Sequence, residues 1–497
     1  MKYIICLLLL LPIFFMPICH LHDWGDDFAL YIQQAKSIGQ NKSASQSLFI
    51  YNKHYPSYSP QSYPIGFPII LSFVDQLTDA GINAYQYAII ALLFLSGLLF
   101  FRILIQKLGD TTLSLIMTMA LIYHPFFFAF REQVLADIPL LFFCLLFYLV
   151  YEESKLSRLI NIFALAFIAY FAFAIKTVGL TLLIAYYICE VYRAFLDAKS
   201  RIHIYQNLLA FGGLFILFHW AFAQFSLDAG NSLSHFVQLT FSNNLSQTIL
   251  DNLVIYKNEI LAFWGNLGFL KKDFIAKLFS YSFAMVCLIS WMIHRDRAWD
   301  FLRIFTLVFL LSIMIFPNYQ QGLRYFIPIL PCLFLLFLLG YKSFSERVKI
   351  PVPMSQIALP ILFIYLYLAP NIAYTESIAK RSNENGLIYS PYSSANQKIM
   401  REIQNIIPQS DTLITSYPRA FALFTQRHTY TPYPDITLDN AIGEIAFFHQ
   451  FYLLDYYPLR KKSIETLANA IHLNPSKYYI DTLATKKEYG LYKCTAR

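Results

Sequence analysis

The chain has 497 residues, of which 57% are hydrophobic and 14% charged, with 47 Phe and 36 Tyr. Such a composition excludes an ordinary soluble protein and describes one that lives in a bilayer. The net charge of +8 is carried largely by short basic loops between apolar runs, so it gives no reason to invoke nucleic acid.

A helix needs about 20 apolar residues to cross a hydrocarbon core roughly 30 Å thick. Runs of this kind are read near 3–19, 84–101, 111–130, 137–152, 159–175, 178–192, 205–225, 276–293, 299–316, 325–341 and 351–369, eleven predicted spans. With the N-terminus inside, the inward loops hold Arg102 and Lys107, Lys155 and Arg158, Arg193 and Arg201, Arg295 and Arg297, and Lys342 and Arg347. That is the positive-inside arrangement. The outward side then receives a first loop, 20–83, the turn 131–137, the stretch 226–275, the turn 317–324 and everything after 370. The opening run has one Lys and an apolar core but no small-x-small site before His20, and is expected to remain as an anchor. The seven cysteines are scattered, and no disulfide framework or Cys-x-x-Cys metal site can be read from them.

Directly after the first run stands "HDWGDDFALYIQQAKSI", residues 22–38, with Asp23, Asp26 and Asp27 ahead of a segment whose Phe28, Tyr31, Ala35 and Ile38 recur at helical spacing. Acids at a helix N-terminus are held ionised by its unpaired N–H groups and its dipole. A carboxylate fixed beside lipid can take a proton from a hydroxyl or hold a divalent cation; equally, Asp26 or Asp27 can simply cap the helix. His20, His22 and Asp23 make a dense nitrogen and oxygen cluster without a recognised metal spacing. No metal or cofactor is therefore assigned, and a divalent cation stays open.

The first loop ends in "SYPIGFPIIL", where Tyr63, Pro64, Gly66 and Pro68 turn the chain before an apolar helix. "FREQVLADIPLLFF" follows, with Glu132 in the outward turn and Asp137 at the head of a span. Lys176 in "AIKTVGL" and Arg324 in "RYFIPILP" fall at outward ends of apolar runs. They either snorkel to lipid headgroups or pair with a phosphate, for which Arg offers a bidentate fork and Lys a point charge. Carboxylates and cations on one face suit a site where a phosphorylated lipid meets a hydroxyl acceptor.

Beyond 370 the polarity becomes ordinary, enough for one soluble domain. Ile399, Ile403, Ile406 and Ile407 predict an amphipathic helix ended by Pro408. "DTLITS" and "RHTYTPY" read as strands around a helix, "PRAFALFTQ"; "KKSIETLANAI" reads as a helix before closing strands "KYYIDTL" and "YGLYKC". The predicted fold is a mainly α polytopic membrane protein with a small C-terminal α/β domain, divided as 1–369 and 370–497.

The ordered set "GDDFALYIQQAKSI", "YPIGFPIIL", "ADIPLLFF", "AIKTVGL" and "RYFIPILP" resembles the GT-C glycosyltransferases of the protein O-mannosyltransferase and lipid A aminoarabinose transferase type. The resemblance covers most of residues 1–345, and the tail is similar to the extracytoplasmic domain of bacterial members. It implies the GT-C fold, a polyprenyl-phosphate-linked sugar as donor, and a hydroxyl acceptor on a glycolipid, lipopolysaccharide or protein. It also implies an active site outside the inner (plasma) membrane and an acidic base in the first outer loop. Tyr31 and Ala35 fit the family spacing if that base is Asp27, although the second acid precedes it, as Asp26, where the family has it following. Asp137 matches the family's acid before the fourth span. Lys176 and Arg324 match basic positions suited to donor phosphate, and Tyr31, Tyr63 and Glu132 are expected to meet substrate. The implied reaction is one displacement with inversion, in which Asp27 takes the acceptor's proton as lipid phosphate leaves. A lipid transporter or flippase, with ionisable groups along a path through the bilayer, is the alternative; a non-catalytic scaffold for the tail is a third.

Overall fold

The structure is a computed structural model that describes residues 1–16, 18, 22, 24–44, 46–52, 62–78, 81–153, 156–197, 199–223, 244–265, 273–293, 300–316, 322–348 and 390–497. Both the proposed span 351–369 and the boundary at 370 lie outside the described residues.

Most of the predicted runs form helices, and local chemistry sets their ends. Ile82–Leu108, 27 residues long, stops at Gly109, whose φ of 70° is the left-handed conformation that glycine adopts freely. Asp110 then caps Thr111–Ile122 by accepting a hydrogen bond from the Leu113 amide at 3.0 Å. The run 111–130, read as one span, is two helices. Pro125 has no amide to continue the first, and His124 Nδ1 caps the second, Pro125–Phe130, by accepting from the Phe126 amide. Among the described residues four helices are long and apolar enough to cross a membrane by length and composition: Ile82–Leu108, Arg158–Ile175, Thr177–Leu196 and Arg201–Ala223. The other runs give further helices, including Asp137–Glu153, Asp273–Ile293, Asp300–Ile315 and Leu330–Val348. The stretch read as outward loop contains a further helix, Leu245–Gly265, whose Asp251, Lys257 and Glu259 interrupt the apolar pattern and hide it from a hydropathy reading.

Two breaks matter for the site. Lys176 sits in extended backbone, φ −154° and ψ 133°, between Arg158–Ile175 and the 3-10 turn Thr177–Gly179. The Gly66–Leu77 helix starts so close to the first break that a Cβ on Gly66 would lie 2.7 Å from the backbone carbon of Ala174. Only a glycine lets the two chains meet there.

The tail carries five strands, β1 Thr412–Ile414, β2 His428–Tyr430, β3 Gln450–Tyr456, β4 Tyr478–Thr485 and β5 Tyr489–Ala496, in the order β2-β1-β3-β5-β4. β2, β1 and β3 run parallel, with Leu413 beside both Thr429 and Tyr452; β5 and β4 are antiparallel. Alternation along the strands splits the core in two. Leu413, Tyr452 and Leu454 pack with Ile399, Ile403 and Phe421 of helices Ser394–Ile406 and Pro418–Thr425, in one cluster continuous with the membrane helices. Ile414, Phe451 and Leu453 face Ile442, Ile464 and Leu467 of helices Leu438–Ile445 and Lys462–Leu473. The first loop joins this sheet: Phe49 pairs in parallel with Thr429, and Asn52 donates to Glu444 at 2.7 Å.

Gly66→Ala is expected to lower stability by about 1–3 kcal/mol, because backbone must move to admit the methyl group. Thermal unfolding of the detergent-solubilised protein reads this directly, and an unchanged transition would mean that the Gly66 helix and Ala174 do not meet so closely.

Candidate active site

The helix Asp27–Gly39 presents its first residue to the end of the bundle against which the tail packs. Asp27 is fixed on both oxygens. Its Oδ1 accepts from the Tyr63 hydroxyl at 2.7 Å and from Arg419 Nη1 at 3.3 Å; its Oδ2 accepts from Arg324 Nη1 and Nη2 at 3.3 and 3.4 Å. Arg324 continues to the second acid, its Nε lying 3.1 Å from Asp137 Oδ2 as an ion contact. Asp137 Oδ1 in turn accepts from Lys176 Nζ at 2.6 Å. One guanidinium thus bridges two carboxylates that are 110 positions apart in sequence, 27 and 137, and the extended backbone at Lys176 delivers a second cation to the same acid.

Each of these groups is set by its neighbours. The Gln34 side chain donates to the Tyr63 carbonyl at 3.1 Å and accepts from its amide at 3.3 Å, which holds the Tyr63 turn to the Asp27 helix. The Tyr31 ring stacks on Tyr63 with centroids 4.4 Å apart and meets Phe67 edge-on at 4.9 Å. Burial, and next the Asp27 carboxylate beside it, push the Tyr63 hydroxyl well above the usual phenol range. It therefore remains a donor to Asp27. Ahead of Arg324, Asn252 donates to the carbonyls of Met314 and Phe316 at the end of Asp300–Ile315. Tyr256, one turn on, packs edge-on against Phe326. The Lys176 ammonium also lies 4.5 Å from the Tyr325 ring centre.

Asp26 does something different from Asp27. Its backbone has φ 53°, its side chain is buried, and its Oδ1 accepts from the Ala420 amide at 2.8 Å. It caps the N-terminus of the tail helix Pro418–Thr425 from across the chain, while Asp27 faces the cations. Asp27, Asp137, Lys176, Arg324, Tyr31 and Tyr63 are thus brought together, and Glu132 is placed in a neighbouring turn, paired with Arg131 at 2.8 Å. Of the suggested metal cluster, His20 and Asp23 lie outside the described residues; His22 Nε2 accepts from the Val134 amide at 3.0 Å and its ring stacks on Phe28. Among the described residues no group of three His, Cys, Asp or Glu side chains could hold a metal ion.

Arg419 is the member that sequence reasoning missed. It is 1% exposed, yet in "PRAFALFTQ" it reads as the solvent-facing residue of a helix in a soluble domain. Among the described residues, three cations, Lys176, Arg324 and Arg419, thus meet around the carboxylates of Asp27 and Asp137.

The fold with this cluster at one end is that of the GT-C membrane glycosyltransferases. It is similar across 99% of this chain and 97% of the other to ArnT from Cupriavidus metallidurans, solved bound to undecaprenyl phosphate, with a TM-score of 0.61 and 10% identity. The Archaeoglobus fulgidus oligosaccharyltransferase, solved with zinc and sulfate, matches over 98% of this chain and 73% of its own, with a TM-score of 0.53 and 11% identity. The chain belongs to the family described as "Predicted membrane protein (DUF2079)", which matches residues 82–474 and so contains Asp137, Lys176, Arg324 and Arg419. No curated protein matches the sequence significantly.

Asp26→Asn is expected to keep the tail docked, since Asn accepts from an amide and tolerates positive φ nearly as well as Asp. Asp26→Ala removes the cap and should cost roughly 0.5–2 kcal/mol. Limited proteolysis of the tail in the two variants separates them; equal protection would show that the Asp26 contact does not hold the tail.

Proposed function

We propose that the protein is a glycosyltransferase that moves a sugar from a polyprenyl-phosphate donor to a hydroxyl acceptor, with inversion. Its active site and the tail, residues 370–497, stand on the extracytoplasmic side of the inner membrane, and residues 1–369 form the transferase body. The observation that carries this is the Arg324 bridge between Asp27 and Asp137, in a partly buried cluster that also holds the cations Lys176 and Arg419. Such a cluster is built to take up an anion. The solved relative with undecaprenyl phosphate suggests which anion, and the apolar helices beneath the cluster suit a lipid tail.

In this mechanism the donor phosphate competes with the carboxylates for Arg324 and Lys176. Asp27 Oδ2, released from Arg324, accepts the proton of the acceptor hydroxyl as its oxygen bonds to the anomeric carbon. The bond from that carbon to the phosphate oxygen breaks with its electron pair, and the two cations stabilise the departing phosphate. Asp137 holds Lys176 and Arg324 in position between turnovers. Tyr31, Tyr63 and Glu132 meet the substrate on this reading. A divalent cation fits this donor set poorly, because the carboxylates of both Asp27 and Asp137 already face guanidinium or ammonium groups. No step is routed through one. A transporter would string its ionisable groups along the bundle. Among the described residues the ion pairs of the bundle gather at its ends, at Asp27 and Asp137 on one and at Arg102–Glu153 and Lys107–Glu152 on the other.

Asp27→Asn should preserve folding and lower sugar transfer by about 10²- to 10⁴-fold, the range for removing a positioned general base. Arg324→Ala and Lys176→Ala should weaken use of the donor roughly ten- to a hundred-fold. Transfer in membranes supplied with a polyprenyl-phosphate sugar, normalised to folded protein, measures both. Parental turnover in Asp27→Asn would remove Asp27 as base.

A further inference from the structure

The tail reaches Asp27 through the Arg419 side chain, and the contacts around it are too specific for an anchor. Arg419 lies at the second position of helix Pro418–Thr425. Its carbonyl accepts from Gln33 Nε2 at 3.0 Å, and the next amide, Ala420, donates to Asp26 at 2.8 Å. Its guanidinium carbon sits 5.1 Å from the Phe49 ring centre and 5.7 Å from that of Tyr63. Gln33, Asp26 and Phe49 all belong to the first loop, and Phe49 is the residue that pairs with Thr429 of β2. The loop therefore grips both polar groups of the peptide bond that follows Arg419 and leaves Nη1 to reach Asp27 Oδ1 and the Tyr63 hydroxyl, each at 3.3 Å. The adjacent acids handle the same short stretch of the tail: Asp26 takes its backbone and Asp27 its side chain. A buried guanidinium is costly unless paired, and an apolar side chain would dock a helix as well.

We propose that Arg419 is a positioning residue of the transfer site, an inference that rests on the proposed function above. Asp27 needs two kinds of partner. Arg324 occupies Oδ2 and must leave it when the donor phosphate arrives; something else has to keep the carboxylate plane fixed at that moment. Arg419 does so from the Oδ1 side, together with the Tyr63 hydroxyl that both groups share. Oδ2 then faces the reacting hydroxyl and Oδ1 stays bound throughout. The tail is part of the catalytic unit on this account, since it supplies the group that orients the base.

The test compares Arg419→Gln and Arg419→Lys with the parent in sugar transfer from a polyprenyl-phosphate donor, per mole of folded protein. Arg419→Gln should lower kcat roughly ten- to a hundred-fold, the loss expected for one charge-assisted contact, with donor KM nearly unchanged. Arg419→Lys should recover part of that loss. A rise in donor KM with kcat retained would overturn the proposal and make Arg419 a donor contact. Parental kcat with a lowered melting temperature would overturn it too, leaving Arg419 a docking residue. If the parent itself transfers no sugar, the proposed function fails, and the pairing is read separately from melting temperatures of Arg419→Gln, Asp27→Asn and the double variant. Coupled groups should give a double-variant shift smaller than the sum of the single ones. Additive shifts would end the proposal independently of any activity.

Discussion

The fold is organised around one guanidinium held between two carboxylates. Arg324 contacts Asp27 and Asp137 at about the same distance, and at an effective dielectric near 20 two unit charges that close attract by roughly 5 kcal/mol. Most of that is offset by desolvation, so the bridge is a weak source of stability. It is a source of specificity, because a partner that failed to arrive would leave a partly buried charge poorly paired. The chain can satisfy it only if three distant segments arrive together. The Asp27 helix must start where it does, the Asp137 helix must begin beside it, and the turn Gly322–Phe326 must bring Arg324 between them. Gly66 against Ala174 and the extended backbone at Lys176 are local solutions to that demand.

The tail is bound into the same constraint. One face of its sheet shares a core with the membrane helices, and its other face makes a core of its own. The first loop adds a residue pair to the edge of β2 and caps a tail helix with Asp26. Loop, tail and bundle each supply a partner to the Asp27 carboxylate, through Tyr63, Arg419 and Arg324. On the proposed function, the partners on Oδ1 keep the carboxylate in place while the cations on the other side exchange it for an anion that enters and leaves.

Much of this was legible from residues alone, and the limits have physical causes. Asp27, Asp137, Lys176 and Arg324 each interrupt or border an apolar run, where a charge is conspicuous, and the alternation of basic loops put them on one side. Their pairing was not legible, since hydropathy carries no distances. The different partners of Asp26 and Asp27 were not legible either, since Asp26 binds the Ala420 amide 394 residues away. Arg419 gave no signal: in a segment of ordinary polarity an arginine is the least surprising surface residue. In the tail, the strands flanking Pro418–Thr425 and the closing pair were readable from β-branched and aromatic runs. β3, "QFYLLDY", and the helix Leu438–Ile445 were not read, the first because a fully buried strand lacks alternation. The Leu245–Gly265 helix escaped for the opposite reason, because it carries charges in a place where apolar runs were being sought.

The central claim is that the cations of this cluster exchange the two acids for a lipid phosphate. A structure determined with a polyprenyl phosphate bound tests it most directly. The account predicts the phosphate within hydrogen-bonding distance of Arg324 and Lys176, Arg324 withdrawn from Asp27 Oδ2, and Arg419 and Tyr63 still on Oδ1. A phosphate seated elsewhere, with the Asp27–Arg324–Asp137 bridge unbroken, would contradict it.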